Sequence, residues 1–440
     1  MFLSCILIYI IVCFFVNKHF TRAEGYVSTI PLFTLLASIY YVAIPFELNV
    51  TDSEGYITGH GFFVEMPFDM QAIVVLMATL AVVSFSAGYK LSGCKVQPES
   101  FIFEAKNVII DRTNFVVAIN LMFFLSSVLL LLFFRDELIC SIAGYGGNVA
   151  QTYSNSTYGY IKSIFTMSTS VLIFLHLCIK KTIGIGLVLA FILVAIGILT
   201  SDKDPFLLAA LPMLTWLIVK ASRKKRYLIL SLLALIGGSV FALVSVPVFS
   251  LYRAGINIFG MDLVDHYYFS FTQIDPSGPF ISLADSLRDL KPLLYGKTYI
   301  DGLAILVPKI FWANRPLDLA EQFARDFLPL WEPGLGVGYS LMTEGLINFG
   351  YPGAFVHYFT IGFTWGLGWR MISLCTASSL YMNVLYRTIG FYLLTIMHRG
   401  PLSQIVKTLI LFMIPLLVTT MLIHFIKSNA MDYSANANLR

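Results

Sequence analysis

The sequence predicts an all-α polytopic membrane protein with about eleven transmembrane helices. Two observations support this fold class. The chain of 440 residues is 58% hydrophobic and only 12% charged, with a mean hydropathy of +0.79, whereas soluble domains carry about 25% charged residues. The apolar residues also form long continuous runs, as membrane-spanning helices require.

Each predicted span is an apolar run near the 20 residues that cross about 30 Å of hydrocarbon. The first, "MFLSCILIYIIVCFFV", has no basic flank or small-residue cleavage site, so we expect a membrane helix rather than a cleaved signal. The predicted spans are 2–16, 27–46, 70–88, 114–134, 163–179, 183–200, 206–220, 227–250, 346–369, 378–397 and 406–426.

The loops between these spans alternate in charge, which predicts their side of the membrane. One alternate set holds the basic segments, including "SRKKR" at 222–226 and the C-terminal tail. The other set holds the acidic loop 47–69 and the long segment 251–338. Because basic loops stay in the cytoplasm, we expect the N-terminus and the long segment outside and the C-terminus inside.

Three regions follow from this topology: membrane helices in 1–250, a large external loop in 251–338, and further membrane helices with a C-terminal tail in 339–440. The external loop contains the periodic apolar segments "ISLADSLRDLKPLL" and "LAEQFARDFLPLW", which predict short amphipathic helices. Such helices can lie along the membrane surface or fold over the helix bundle, and the sequence leaves both alternatives open.

Cofactor motifs are absent from the sequence. The six cysteines show no CxxC spacing, and there is no HExxH motif, P-loop or GxSxG elbow. We therefore expect no metal, no nucleotide cofactor and no nucleic-acid partner. Since the polar residues concentrate in the predicted external loops, we expect any chemistry there.

Glu344 is a candidate functional carboxylate, because it lies in the apolar stretch "SLMTEGLINFG". A charge in such surroundings is costly unless it is paired or used. On a helix, Glu344 and Asn348 share one face. "GYPG" at 350–353 should break that helix before the apolar run resumes. The alternative to a functional role is a buried structural ion pair.

Basic residues near the predicted outer surface form a second group. Arg387 lies inside an apolar run, where an arginine is a functional candidate by default. Arg399 and Arg253 can equally be interfacial anchors, and Lys203 in "SDKDP" can belong to a solvated turn. The full group of candidates for binding a phosphorylated lipid comprises Lys203, Arg253, Lys309, Arg315, Arg387, His398 and Arg399.

The chemistry shared by these residues is recognition of phosphate or pyrophosphate, which arginine binds through two parallel hydrogen bonds. A carboxylate within reach of such a site can act as general base toward a sugar hydroxyl. Together the residue types favour a lipid-pyrophosphate substrate handled at the outer leaflet.

The segment 296–353 resembles the bacterial O-antigen, or oligosaccharide repeat-unit, polymerases of the Wzy type. "LVPKIFWANRP" is similar to the family's proline-basic segment, "GLGVGYS" to its Gly-rich turn, and "EGLINFGYPG" to its Glu followed by "NFG". "SDKDP" and "HRGPLSQIVK" resemble two further basic elements, with Lys203 where many members have arginine. The motif-bearing part covers about a third of the chain.

The resemblance implies a glycosyltransferase of the bacterial inner membrane with a GT-C-like fold and a site that faces the periplasm. It would transfer a growing glycan from undecaprenyl pyrophosphate to a new lipid-linked repeat unit, without metal or nucleotide. Glu344 would be the general base, or would orient an arginine. Arg315, Arg399 and Lys203 would contact pyrophosphate, with Arg253, Lys309, Arg325, Asn348, His398 and Arg387 as further substrate contacts. Membrane lipid and a chain-length regulator are the implied partners.

Three alternatives compete with polymerisation. An O-antigen ligase uses the same lipid donor with another acceptor, and the "EGLINFG" segment favours the polymerase. A flippase or other transporter is disfavoured because no internal repeat is evident. A structural membrane subunit is disfavoured by Arg387 and Glu344, which are charged residues within or beside apolar runs.

Overall fold

The structure is a computed structural model of the whole chain. It describes residues 1–24, 28–51, 55–57, 63–93, 114–143, 156–179, 182–200, 203–221, 271, 277–289, 292–307, 312, 314–327, 336–375 and 384–437. The predicted span 227–250, the "SRKKR" cluster, Arg253 and Lys309 lie outside these residues.

The described part is helical apart from one short hairpin. Its helices are α1 (Phe2–Glu24), α2 (Thr29–Ala37), α3 (Ala43–Val50), α4 (Phe68–Leu91), α5 (Asn114–Leu132), α6 (Arg135–Ala143), α7 (Ser156–Cys178), α8 (Ile183–Leu199), α9 (Lys203–Ala221), α10 (Ser277–Arg288), α11 (Lys297–Ile305), α12 (Leu319–Phe327), α13 (Leu341–Cys375), α14 (Phe391–Arg399) and α15 (Leu402–Ala437). The hairpin pairs β1 (Gly55–Ile57) with β2 (Phe63–Glu65), with Tyr56 opposite Val64.

The prediction of a helical membrane protein is confirmed. Six helices of the described residues are long and apolar enough to cross a membrane: Phe2–Thr21, Thr29–Val50, Phe68–Leu91, Asn114–Leu132, Thr157–Cys178 and Leu402–Ile426. Two shorter apolar helices, Ile183–Ile198 and Asp204–Ile218, coincide with further predicted spans. The total of eleven stays a prediction, as does the GT-C-like fold.

The packing of α4 along α13 is the closest helix contact near the site, and small residues make it possible. A Cβ atom added to Gly362 would lie 2.2 Å from the carbonyl oxygen of Phe85, and one added to Gly88 would lie 2.1 Å from that of Phe359. No side chain fits at these distances. Glycine therefore lets the two backbones touch, as small residues do between membrane helices.

A second group of helices packs around α7, which contacts α5, α8 and α9. Ser170 on α7 donates a hydrogen bond to the carbonyl of Leu208 on α9 (2.6 Å), which ties these two helices together. α15 contacts α5 and α7, and also contacts α11 near its start. α11 belongs to the predicted external loop, so this contact brings the loop onto the helix bundle.

The predicted external loop contains the helices α10, α11 and α12. The apolar periodicity predicts α10 and α12, whereas α11 has no counterpart among the predicted elements. The two alternatives for the amphipathic segments are resolved for α10. Its apolar residues Phe280, Leu283 and Leu287 are buried, and the helix packs against α13 and α14. α10 thus folds over the bundle.

Within the described residues, two π-helical turns interrupt otherwise α-helical segments. The first, Ser38–Val42, lies between α2 and α3 and buries Tyr40 and Tyr41. The second, Tyr386–Gly390, precedes α14 and is completely buried, including Arg387. Single π-turns widen a helix by one residue and often occur at functional sites. No pattern in the apolar spacing distinguishes these segments from ordinary helix.

Candidate functional site

The first two turns of α13 position Glu344 and Asn348. Gly350 adopts a non-helical conformation (φ 71, ψ −164) and breaks the helix there, as predicted for "GYPG". Only glycine adopts such a backbone conformation readily. The short segment before the break lies outside the six candidate spans. Glu344 is 1% exposed and Asn348 is fully buried.

The Glu344 carboxylate is held by two neutral donors from other parts of the chain. The Thr298 hydroxyl donates to Oε1 (3.0 Å), and the backbone N–H of Leu402 donates to Oε2 (2.7 Å). Leu402 is the first residue of α15, so the carboxylate accepts one of the amides that a helix start leaves without an intrahelical partner. Among the described residues, neither Arg315 nor Arg399 hydrogen-bonds to Glu344.

Asn348 connects this carboxylate to the segment before α11. Its Nδ2 donates to Thr298 Oγ1 (2.6 Å) and to the Glu344 carbonyl (2.8 Å), and its Oδ1 accepts from the Gly296 N–H (2.9 Å). Glu344 and Asn348 therefore share one helix face, as predicted, and both side chains hydrogen-bond to Thr298. Gly296 has φ 87, a left-handed conformation that turns the chain into α11.

Burial sets the protonation of Glu344. It raises the pKa of this carboxyl from 4.5 to about 7, while the hydrogen bonds from Leu402 and Thr298 oppose the increase. Asp318, which precedes α12, adds to the increase through its charge. Its own pKa is raised by burial, and it accepts a hydrogen bond from Ser403 Oγ (3.2 Å). A carboxyl with a pKa near neutrality is suited to accepting a proton.

A cavity of about 120 Å³ lies beside these two carboxyl groups. Thr298, Lys297, Asp301 and Gly302 of α11, Gln322 of α12 and Ser403 of α15 line it, together with apolar Leu294, Ile305, Leu317 and Leu319. Thr298 and Ser403 are the hydroxyls that bond to Glu344 and Asp318. Thr298 and Ser403 therefore line the cavity and also bond to a carboxyl group.

Arg315 and Arg399, two of the three predicted catalytic residues, hydrogen-bond to groups other than Glu344. Arg315 Nη1 donates to the carbonyls of Ile305 and Val307, the latter at 3.1 Å, and so closes the end of α11. Arg399 Nη1 forms an ion pair with Asp204 (2.8 Å), which connects the end of α14 to the start of α9. Both positive charges thus have structural partners.

His398 and Arg387 are buried within the bundle rather than directed toward the cavity. The His398 ring is fully buried, with Phe33 at 4.7 Å and Tyr41 at 5.6 Å between ring centroids. Arg387 is likewise fully buried in the second π-helical turn. Neither residue lines the cavity, so the expectation that they contact the same substrate as Glu344 has no geometric support.

The remaining basic candidates are dispersed. The Arg325 side chain is 51% exposed and pairs with the neighbouring Asp326 (3.0 Å). Lys203 begins α9, but its side chain is outside the described part, as are all of Arg253 and Lys309. The described geometry therefore brings Glu344 and Asn348 together and leaves the predicted basic residues elsewhere.

The candidates predicted from the sequence did not include four residues that complete the site: Lys297, Thr298, Asp301 and Ser403. Lys297 and Asp301 are four apart in "GKTYIDG" and so share a helix face, which is the one signal that could have marked them. Thr298 and Ser403 are ordinary hydroxyl residues with no motif. Their proximity to Glu344 and Asp318 depends on contacts across 46 and 85 residues of chain.

Within the part of the chain that the structure describes, no three His, Cys, Asp or Glu residues converge as ligands for a metal ion. The chain matches no protein-family model, no curated protein and no solved structure.

Proposed function

We propose that this chain is a glycosyltransferase of the bacterial inner membrane that polymerises undecaprenyl-pyrophosphate-linked oligosaccharide repeat units at the periplasmic face. The product would be O-antigen or a similar surface polysaccharide. The resemblance of 296–353 to Wzy-type polymerases suggests the reaction. The observation that carries the proposal is the buried Glu344, with a pKa of about 7, connected through Thr298 to a polar cavity.

Thr298 transmits the proton in this mechanism. A hydroxyl has one proton to donate and two lone pairs to accept with. The Thr298 proton goes to Glu344 and one lone pair accepts from Asn348, which leaves one lone pair for a substrate hydroxyl in the cavity. Glu344 is 1% exposed and would act through this hydroxyl rather than by direct contact.

In the transfer step, the acceptor sugar hydroxyl passes its proton to Thr298 Oγ while the Thr298 proton passes to Glu344 Oε1. The acceptor oxygen bonds to the anomeric carbon of the donor glycan, and the bond from that carbon to undecaprenyl pyrophosphate breaks. The pyrophosphate leaves with the electron pair, and positive charge beside it would stabilise this leaving group.

Arg315 and Arg399 are the described arginines proposed for that charge. For Arg399 to serve, pyrophosphate would have to compete with Asp204, whose carboxylate lies 2.8 Å away. Arg315 holds two carbonyls through one nitrogen, and its guanidinium carries further donors. The resemblance alone supports the proposed pyrophosphate contacts of Lys203, Arg253 and Lys309.

The test is a gene deletion followed by complementation, read as the length ladder of surface polysaccharide. We expect the deletion to leave lipid carrying a single repeat unit. Wild type should restore the ladder, and Glu344→Gln should not. Glu65→Gln, which changes an exposed carboxylate of β2, is the matched control and should restore the ladder. Membrane levels of each variant must equal wild type.

Thr298 variants separate proton transfer from packing. Thr298→Val keeps the shape but lacks the hydroxyl, so polymerisation should fall by about 100-fold or more, as for loss of acid–base catalysis. Thr298→Ser should retain most activity. A normal ladder from Glu344→Gln would refute the role of Glu344. Loss of even the single repeat unit on deletion would point to a ligase or flippase instead.

A further inference from the structure

The cavity in front of Thr298 combines groups of opposite character. Lys297 and Asp301, one turn apart on α11, both line it. Among the described residues, neither side chain has a hydrogen-bonding or ionic partner. Gln322 donates its amide to the Leu317 carbonyl (2.7 Å), which leaves its side-chain oxygen available to accept. A cation, an anion and an amide oxygen therefore share one small cavity.

The balance of charge argues against an anion as the occupant. One lysine faces one aspartate, and the aspartate would repel a phosphate or pyrophosphate group across a few ångströms. Known anion sites instead gather several donors of one sign. The ligand that this lining fits is neutral overall and carries both hydrogen-bond donors and acceptors.

The remaining side chains that line the cavity are apolar and comprise Leu294, Ile305, Leu317 and Leu319. A sugar ring combines the same two kinds of surface, with C–H groups on its faces and hydroxyls around its rim. A cavity of about 120 Å³ is slightly smaller than the roughly 150 Å³ that encloses a benzene molecule, so it admits part of a single sugar ring and not an oligosaccharide.

We propose that this cavity binds a single neutral sugar ring, with Lys297, Asp301 and Gln322 contacting its hydroxyls and the four apolar side chains contacting its C–H face. The Asp301 carboxylate accepts hydrogen bonds from two adjacent hydroxyls, and the Lys297 ammonium donates to a third. The identity of this ring as the terminal sugar of the acceptor rests on the proposed function, whereas the binding of a sugar ring is independent of that function.

The experiment measures binding of simple methyl glycosides to the purified full chain in lipid nanodiscs by saturation-transfer NMR. The probes are methyl glycosides of glucose, galactose, mannose, rhamnose and N-acetylglucosamine, with inorganic pyrophosphate as competitor. We expect at least one glycoside to bind saturably. Asp301→Asn should weaken its binding about tenfold, as expected for a lost charge-assisted hydrogen bond, and Gln322→Leu should weaken it too.

Asp326→Asn is the control, because the Asp326 side chain is 65% exposed and does not line the cavity; it should leave binding unchanged. The inference is overturned if no glycoside gives more signal with wild type than with the Asp301→Asn, Gln322→Leu double variant, or if pyrophosphate displaces the sugar competitively. Glycoside binding that persists while the deletion strain still makes a full ladder would overturn the proposed function alone.

Discussion

Replacing Glu344 by glutamine should change how the stability of the protein depends on pH. The glutamate is 1% exposed, and burial raises its pKa from 4.5 to about 7. The folded chain therefore binds this proton more tightly than the unfolded chain does. The stabilisation from Glu344 is complete below about pH 4.5 and is lost as the pH rises through 7.

The size of this effect follows from the pKa difference. Each pKa unit corresponds to about 1.4 kcal/mol, so the change from 4.5 to about 7 is worth on the order of 3 kcal/mol between acidic and alkaline conditions. Glutamine has nearly the shape of the protonated acid and does not titrate. The stability of Glu344→Gln relative to wild type should therefore increase as the pH is raised.

The assay is the thermal unfolding midpoint of the full chain in detergent, measured from pH 4.5 to pH 8.5 for wild type, Glu344→Gln and the exposed control Glu65→Gln. Asp318 contributes a slope of the same sign, because burial raises its pKa as well. The difference between wild type and Glu344→Gln isolates the contribution of Glu344. Parallel curves for these two proteins would refute the reasoning.

Three further perturbations test the packing and the polar contacts, each by the unfolding midpoint. Gly362→Ala places a Cβ 2.2 Å from a backbone carbonyl of α4 and should cost about 1–3 kcal/mol or more, whereas Gly368→Ala, with nothing within 4 Å, should be neutral; equal midpoints would contradict the close contact. Asn348→Ala removes two buried hydrogen bonds and one partly buried one and should lower the midpoint by several degrees; a wild-type midpoint would show that these bonds contribute little. Single and double alanine variants of Arg399 and Asp204 should give a coupling of about 0.5–1 kcal/mol, because the Asp204 side chain is 36% exposed and water screens the pair; no salt dependence of that coupling would argue against an ionic origin.

Local rules recovered much of the fold from the sequence. Apolar run length located the long apolar helices, apolar periodicity located α10 and α12, and the spacing of Glu344 and Asn348 put both on one face; α6 and α11 were not predicted. Glycine and proline at 350–353 predicted the break that the structure has at Gly350. These features depend on residues within one or two turns of each other, which is the range that periodicity and backbone preference describe.

The site itself required contacts that no local rule contains. The partner that holds Oε2 of Glu344 is a backbone amide 58 residues away, and a backbone amide has no sequence signature. Arg315 and Arg399 were chosen for their charge, yet carbonyls and Asp204 hold them in the structure. The cavity could not be foreseen, because it forms where three separate helices, α11, α12 and α15, approach each other.

The hydrogen bond from Leu402 to Glu344 has a consequence for biosynthesis. Ribosomes make Thr298 first, then Glu344, and Leu402 another 58 residues later. Until α15 emerges, the carboxylate has the Thr298 hydroxyl but not the helix amide that holds its second oxygen. Insertion of α15 therefore completes the site, and a chain terminated before this helix would expose a half-satisfied carboxylate to membrane quality control.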